Sequence, residues 1–243
     1  MTQTRSAPSG AIGAVGAAIE ELERLALDEL RPGETLPSEG ELARTLSISR
    51  LTVREAVRSL EARGLLELRK GRRPVVREPN GLLAGDYFRV AVRRDPAALF
   101  ELLEVRLALE VRIASLAATN VSRAALAAMA SAIDEMRDAA DEETFHDADV
   151  RFHEALAIGS GNGMLTQLIE QLAEPLKISR RHSHRGRLRE GRPVDAVVEA
   201  HRAVLHAVER RDAQGAARAM EAHLRTTERD LRAALHPEED HDG

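Results

Sequence analysis

Aromatic residues make up 2% of this 243-residue chain, with no tryptophan and a single tyrosine. Strands draw on aromatic and β-branched side chains to cover a pleated face, so a chain this poor in aromatics is constrained toward helices. The patterning agrees. From Leu82 onward there is no convincing period-two alternation, only apolar positions at helical spacing. Helices are expected over 82–93, 96–119, 122–140, 143–159, 163–184, 194–211 and 213–235. The breaks fall at Asp95-Pro96, Asn120-Val121-Ser122, Gly159 to Gly163, Gly186 to Pro193 and Arg211-Asp212. Six or seven helices in this span predict one antiparallel all-α bundle. The absence of cysteine excludes disulfides, thiolate zinc fingers, Fe–S clusters and cysteine nucleophiles. No apolar run approaches the roughly 20 residues that cross a bilayer. Met1 to Gly10 lacks the charged-then-apolar order of a secretory leader. A cytoplasmic protein without a membrane partner is expected.

The first third is organised differently. Val15, Ile19, Leu22, Leu25 and Leu30 recur at near-helical spacing until Arg31-Pro32-Gly33 stops the helix. Ser38 with Glu41 three residues on reads as a capping box for a short helix reaching Leu46. Ser49 then caps a second helix ending near Gly64. In that second helix Val53, Val57 and Leu60 form a core stripe, while Arg50, Arg54 and Arg58 follow one edge. Two short helices joined by a tight turn make a helix-turn-helix, whose second helix reads bases from its first residues. Leu65 to Leu68 and Pro74 to Val76 predict two short strands, joined by the basic tip Arg69-Lys70-Gly71-Arg72-Arg73. Such a tip is a wing suited to phosphates or the minor groove. The formal charge of the chain is −5. Residues 42–77 nevertheless carry ten basic and three acidic side chains, a local basic block in an acidic chain. On charge alone, Arg50 and Arg54 are equally surface residues paired with Glu55 or Glu61.

Pro32-Gly33, Leu36-Pro37-Ser38-Glu39, Ser49-Arg50, Val53-Arg54-Glu55-Ala56, Leu60 and Gly64-Leu65 stand in one fixed order within residues 31–73. In this the segment resembles the winged helix-turn-helix of the GntR transcription regulators. The resemblance implies operator contacts from Ser49, Arg50, Thr52, Arg54 and Gly71, and the neighbouring Arg72 joins them on the wing. One position departs from the pattern. The family usually places a DNA-contacting arginine directly after the Ser-Glu pair, where this chain has Gly40.

In the helical part, Asp149 and His153 lie at i and i+4 and so share a helix face. His201 falls on a later helix and His223 on the last. One carboxylate and three imidazoles can hold zinc, nickel, manganese or iron, although an isolated Asp–His pair is equally a surface pair. Glu104-Val105-Arg106 with Leu109-Glu110, Asp149 to His153, Ser160-Gly161-Asn162, Glu199-Ala200-His201 and Met220 to Leu224 are similar to the C-terminal FCD effector domain of FadR-like GntR regulators. That likeness implies a divalent cation, zinc foremost, on Asp149, His153, His201 and His223, and a small organic acid as effector. Arg106 is the candidate carboxylate partner, or else it pairs with Glu104 or Glu110. Asn162 is a second candidate effector contact, or else a helix cap. The basic run from Arg180 to Arg192 reads as a solvated loop. His146, His206, His236 and His241 read as surface or packing residues.

The organisation expected is a disordered tail over 1–10, a winged helix-turn-helix over 11–78, a linker over 79–95, a helical effector domain over 96–235 and an acidic tail over 236–243. The expected function is a metal-containing, ligand-responsive transcription regulator, acting as a repressor and a homodimer on a palindromic operator. Two other readings are a metal-dependent enzyme and an architectural DNA-binding protein with an inert helical domain.

Overall fold

The computed structural model describes residues 9–78 and 82–235. The chain divides into two compact units, Met1–Leu83 and Ala84–Gly243. The tail expected over 236–243, with His236 and His241, lies outside the described residues, as do 1–8 and 79–81 of the tail and linker expected at 1–10 and 79–95.

In the first unit, helix α1 spans Ser9–Arg24 and widens into a π-helical turn at Leu25–Glu29. Ser9 and Gly10, expected in the disordered tail, are its first residues. Helix α2 is Glu39–Thr45, opened by the capping box: Glu41 N–H donates to Ser38 Oγ at 3.2 Å and Ser38 N–H to the Glu41 carboxylate at 2.7 Å. Helix α3 is Arg50–Ala62, capped by Ser49. Strands β1, Leu66–Glu67, and β2, Val75–Val76, pair antiparallel with Leu66 opposite Val76. A third extended segment, not foreseen, lies along the other side of β2. Gly33 N–H donates to Val76 O, Val76 N–H to Glu34 O and Leu36 N–H to Pro74 O, all within 2.9 Å. Leu22, Leu36, Val53, Leu60 and Leu66 are fully enclosed and join these elements into one core. The mainly helical fold with a small wing is therefore the one expected.

In the second unit, α4 is Leu82–Arg94, α5 Ala98–Asn120, α6 Arg123–Arg137 and α7 Glu142–Gly159. They are followed by α8 Gly163–Arg189, α9 Asp195–Glu209 and α10 Ala213–Leu235. Helix α10 packs on α5, α8 and α9, and α7 packs on α5, α6 and α8. With few aromatics, the core closes by bringing helices near one another through small residues. Ala114, Ala117 and Ala118 of α5 are buried, and a Cβ on Gly159 would lie 3.2 Å from Val121. Phe152 is the fully enclosed aromatic at the centre; burying such a ring is worth about 2–3 kcal/mol.

The helix expected over 82–93 is α4, which takes up most of the segment 79–95 also expected as a linker, and Val92 is buried in the second core. The break expected over Gly186 to Pro193 starts later than expected, because α8 continues to Arg189 and α9 begins at Asp195. Gly186 is needed for contact rather than for a turn. A Cβ there would collide with the backbone oxygen of Asp230 and lie 2.9 Å from the Ala234 nitrogen on α10. Pro175, inside α8, cannot donate to the Gln171 carbonyl four residues back. That carbonyl faces Gly85 of α4, where a Cβ would stand 3.0 Å away.

Backbone atoms cannot swing aside as a side-chain tip can. Gly186→Ala is therefore expected to destabilise the chain by about 1–3 kcal/mol, read as a lowered urea midpoint. An unchanged midpoint would show that α8 and α10 do not approach this closely.

Candidate metal centre and nucleic-acid interface

The start of α3 is built by its cap. Ser49 Oγ accepts from Thr52 N–H at 3.0 Å and lies 2.8 Å from Thr52 Oγ1, so the two hydroxyls fix each other beside the first turn. Arg50, Arg54 and Arg58 are exposed along the neighbouring edge, while Val53, Val57 and Leu60 are buried beneath. Arg54 pairs not with Glu55 or Glu61 but with Glu39 of α2, at 3.0 Å. This exposed pair is worth little in stability, but it holds the guanidinium across the two helices. Gly40, the position that departs from the family pattern, has a consequence for Arg50. A Cβ there would lie 3.3 Å from Arg50 Nη2, so the guanidinium rests over the glycine. In the wing, Gly71 has φ +73°, a left-handed turn that glycine adopts freely, and Arg72 N–H closes it onto Arg69 O at 3.0 Å.

In the second unit, α7 supplies Asp149 and His153, α9 supplies His201 and α10 supplies His223, and all four are buried. One ligand nitrogen from each histidine lies within 4.8 Å of the other two. The outer ring nitrogens of His153 and His201 are engaged. His153 Nδ1 contacts the Glu110 carboxylate, and His201 Nδ1 lies 2.8 Å from Val197 O. The inner nitrogens face each other, with His153 Nε2 3.3 Å from His201 Nε2. Asp149 closes the group, its two oxygens 3.5 Å from His153 Nε2 and 3.3 Å from His201 Nε2. An outer nitrogen that donates leaves its neutral ring with an inward lone pair. Burial lowers the pKa of His153 despite the opposing Glu110 charge, and drives that of His223 far down. Imidazole nitrogens facing one another beside a carboxylate are the donor set a divalent cation fits.

The surrounding charges are paired. Burial alone would raise Glu110, but Arg106, 2.6 Å away, and His153 outweigh it and hold the carboxyl below its usual range. Burial would likewise raise Asp149, and Arg180 with His201 hold it well below. A cavity of about 310 Å³ opens beside His223, within the usual size range of ligand pockets. Arg106, Asp149, Arg180 and His146 line its inner end. Arg106 Nη2, both Arg180 Nη atoms and His146 Nδ1 are buried there without a hydrogen-bond partner.

Residues 101–226 match the FCD domain, and residues 14–76 match the bacterial regulatory proteins of the gntR family. The chain belongs to the GntR family. Among its relatives, the HTH-type transcriptional regulator LutR of Bacillus subtilis is 34% identical over 202 residues, covering 82% of this chain and 92% of its own. The Uxu operon transcriptional regulator of Escherichia coli is 34% identical over 225 residues, covering 89% and 85%. A solved GntR structure from Streptococcus agalactiae superposes with a TM-score of 0.68 at 29% identity, covering 88% of this chain and 99% of that one. This GntR-family chain is a DNA-binding transcription regulator of the FCD type. No helix among the described residues is long and apolar enough to cross a membrane.

The structure brings Asp149, His153, His201, His223 and Arg106 to one place. Asn162 is elsewhere: exposed at the start of α8, its Oδ1 accepts from Met164 and Leu165 N–H at 3.1 and 3.2 Å. The reading of Arg180 to Arg192 as a loop is corrected. Most of it is the end of α8, where Arg180 and Arg187 are buried while Arg181, Arg185 and Arg189 stay exposed. His146, read as a surface or packing residue, is buried on the cavity wall. The missed signal was periodicity inside the charge run. Arg180, His184 and Arg187 stand at i, i+4 and i+7, a single helix face.

Glu110 neutralises Arg106 where water cannot. Glu110→Gln leaves a buried, uncompensated guanidinium and is expected to cost about 3–5 kcal/mol in urea unfolding. A loss below about 1 kcal/mol would contradict the pairing.

Proposed function

We propose that this regulator is a metal-containing repressor whose grip on its operator is released by a small carboxylate effector. Asp149, His153, His201 and His223 would hold one divalent cation, with Glu110 orienting His153. The cation would supply positive charge at the inner end of the cavity. Beside it, Arg106 and Arg180 offer three buried nitrogens without partners, a donor fork of the kind carboxylates accept. This is the observation that carries the effector reading: unpaired buried donors are costly unless a ligand satisfies them. An architectural protein with an inert helical unit would have no use for them.

On the DNA side, the proposed readers are Ser49, Arg50, Thr52 and Arg54 at the start of α3, with Gly71 and Arg72 of the wing approaching the backbone. A homodimer would set two such helices on a palindromic site. Effector binding would act by favouring an arrangement of lower operator affinity, and operator and effector would oppose each other reciprocally.

The test separates the two units. An operator is first selected from genomic fragments at stated salt. Arg54→Ala is expected to weaken operator binding by about tenfold or more while metal content is unchanged. His153→Ala is expected to lose metal and effector response while still binding operator. If both variants lose the same property, or if no palindrome is selected, the proposal fails.

A further inference from the structure

Helix α3 buries Val53, Ala56, Val57 and Leu60 in the first core. Leu51 stands nine residues before Leu60, about two and a half turns of helix, and so points directly away from that core. It is 64% exposed. Scattered exposed leucines are ordinary on protein surfaces; what marks this one is its place. It occupies the middle of the outward face of α3, in the first turn, where a recognition helix meets base edges in the major groove. The sequence pattern drew attention to the polar side chains on either side of it.

Those polar side chains are drawn to the flanks. Arg54 is tied to Glu39 of α2 at 3.0 Å, and Arg50 lies over Gly40 of the same helix. The hydroxyls of Ser49 and Thr52 are 2.8 Å apart and engage each other at the cap. Within seven residues of Leu51 on α3, the exposed charges are Arg50, Arg54 and Arg58 with Glu55. An apolar centre therefore sits in a surround that is basic on balance. Such a surround disfavours a second copy of the same face and attracts the phosphates of DNA. One leucine also offers far too little area to hold a protein partner. The major groove, by contrast, presents a single small apolar group, the C5 methyl of thymine.

Resting on the proposal that the start of α3 faces the operator, we infer that Leu51 is a specificity-determining residue that packs on the methyl group of one thymine in each half-site. It selects thymine over cytosine at that base pair, because cytosine has no methyl at the same ring position. The contact removes apolar surface of both partners from water. It leaves the hydrogen-bonding base edges to the arginines at the flanks. Leu51 is exposed in the free protein because the surface that covers it is on the DNA.

Uracil pairs as thymine does and lacks only the methyl, so it isolates this contact. The full-length protein is titrated, at one stated salt concentration, onto the selected operator with each thymine of one half-site replaced in turn by uracil. At one position uracil is expected to weaken binding by about three- to fivefold, the worth of one buried methyl. Leu51→Ala is expected to weaken binding to the thymine operator by at least that factor and to bind its thymine and uracil forms equally. Its urea midpoint is expected to stay unchanged, because the side chain touches no core residue. A lowered midpoint would place Leu51 in the packing of the unit and overturn the inference. So would a half-site with no thymine sensitive to uracil, or a Leu51→Ala protein that still discriminates at the sensitive position. In each of these cases a loss of operator affinity in Arg54→Ala leaves recognition by α3 standing. If neither Arg54→Ala nor Leu51→Ala loses affinity, recognition by α3 and this inference fall together.

Discussion

Two imidazole nitrogens, His153 Nε2 and His201 Nε2, lie 3.3 Å apart in the interior with the Asp149 carboxylate beside both. Each ring has its other nitrogen committed, one to Glu110 and one to Val197 O. Water has been removed from all of these groups, so the arrangement has to be compensated electrostatically. The second unit is built around that requirement. The ligands come from α7, α9 and α10, and the paired charges from α5 and α8, so most of its long helices commit a polar side chain to the same point. A cation there would tie three helices together where the aromatic-poor core provides little bulk.

The buried arginines follow from the same constraint. Three carboxylates, Glu110, Asp149 and Asp230, each hold a buried guanidinium, from Arg106, Arg180 and Arg187. Buried pairs of this kind add little net stability against an apolar replacement, but breaking one is costly. Their value lies in position. The first two leave donor nitrogens free beside the candidate metal centre; the third ties up its arginine beside the close crossing at Gly186. At Asp230 burial raises the carboxyl pKa, and Arg187 and Arg192 work against that rise.

Much of the first unit was legible because its signals are local. A serine with glutamate three residues later closes the same hydrogen bonds wherever it occurs, and Ser38 and Ser49 cap the helices their sequence announces. The extended segment from Gly33 to Leu36 was not legible, because it pairs with β2 through backbone groups that carry no side-chain signature. In the second unit, helix periodicity and the Asp149–His153 spacing were readable. The fate of the charged residues was not. Gly186 and a dense arginine run imitate a loop, whereas the glycine serves the close approach of α10 and the stretch is helical. Asp230 and His146 gave no sign, since their roles depend on partners tens of residues away. Asn162 had two readings of equal local merit, and the cap is the one observed.

The proposed metal centre requires the inner nitrogens of the buried histidines to be ligands. X-ray absorption on the full-length protein after saturation with zinc and removal of excess measures this directly. One ion per chain is predicted, in a shell of three imidazole nitrogens and carboxylate oxygen at about 2.0–2.2 Å. Saturation well below one ion per chain, or a shell without histidine, would contradict the account.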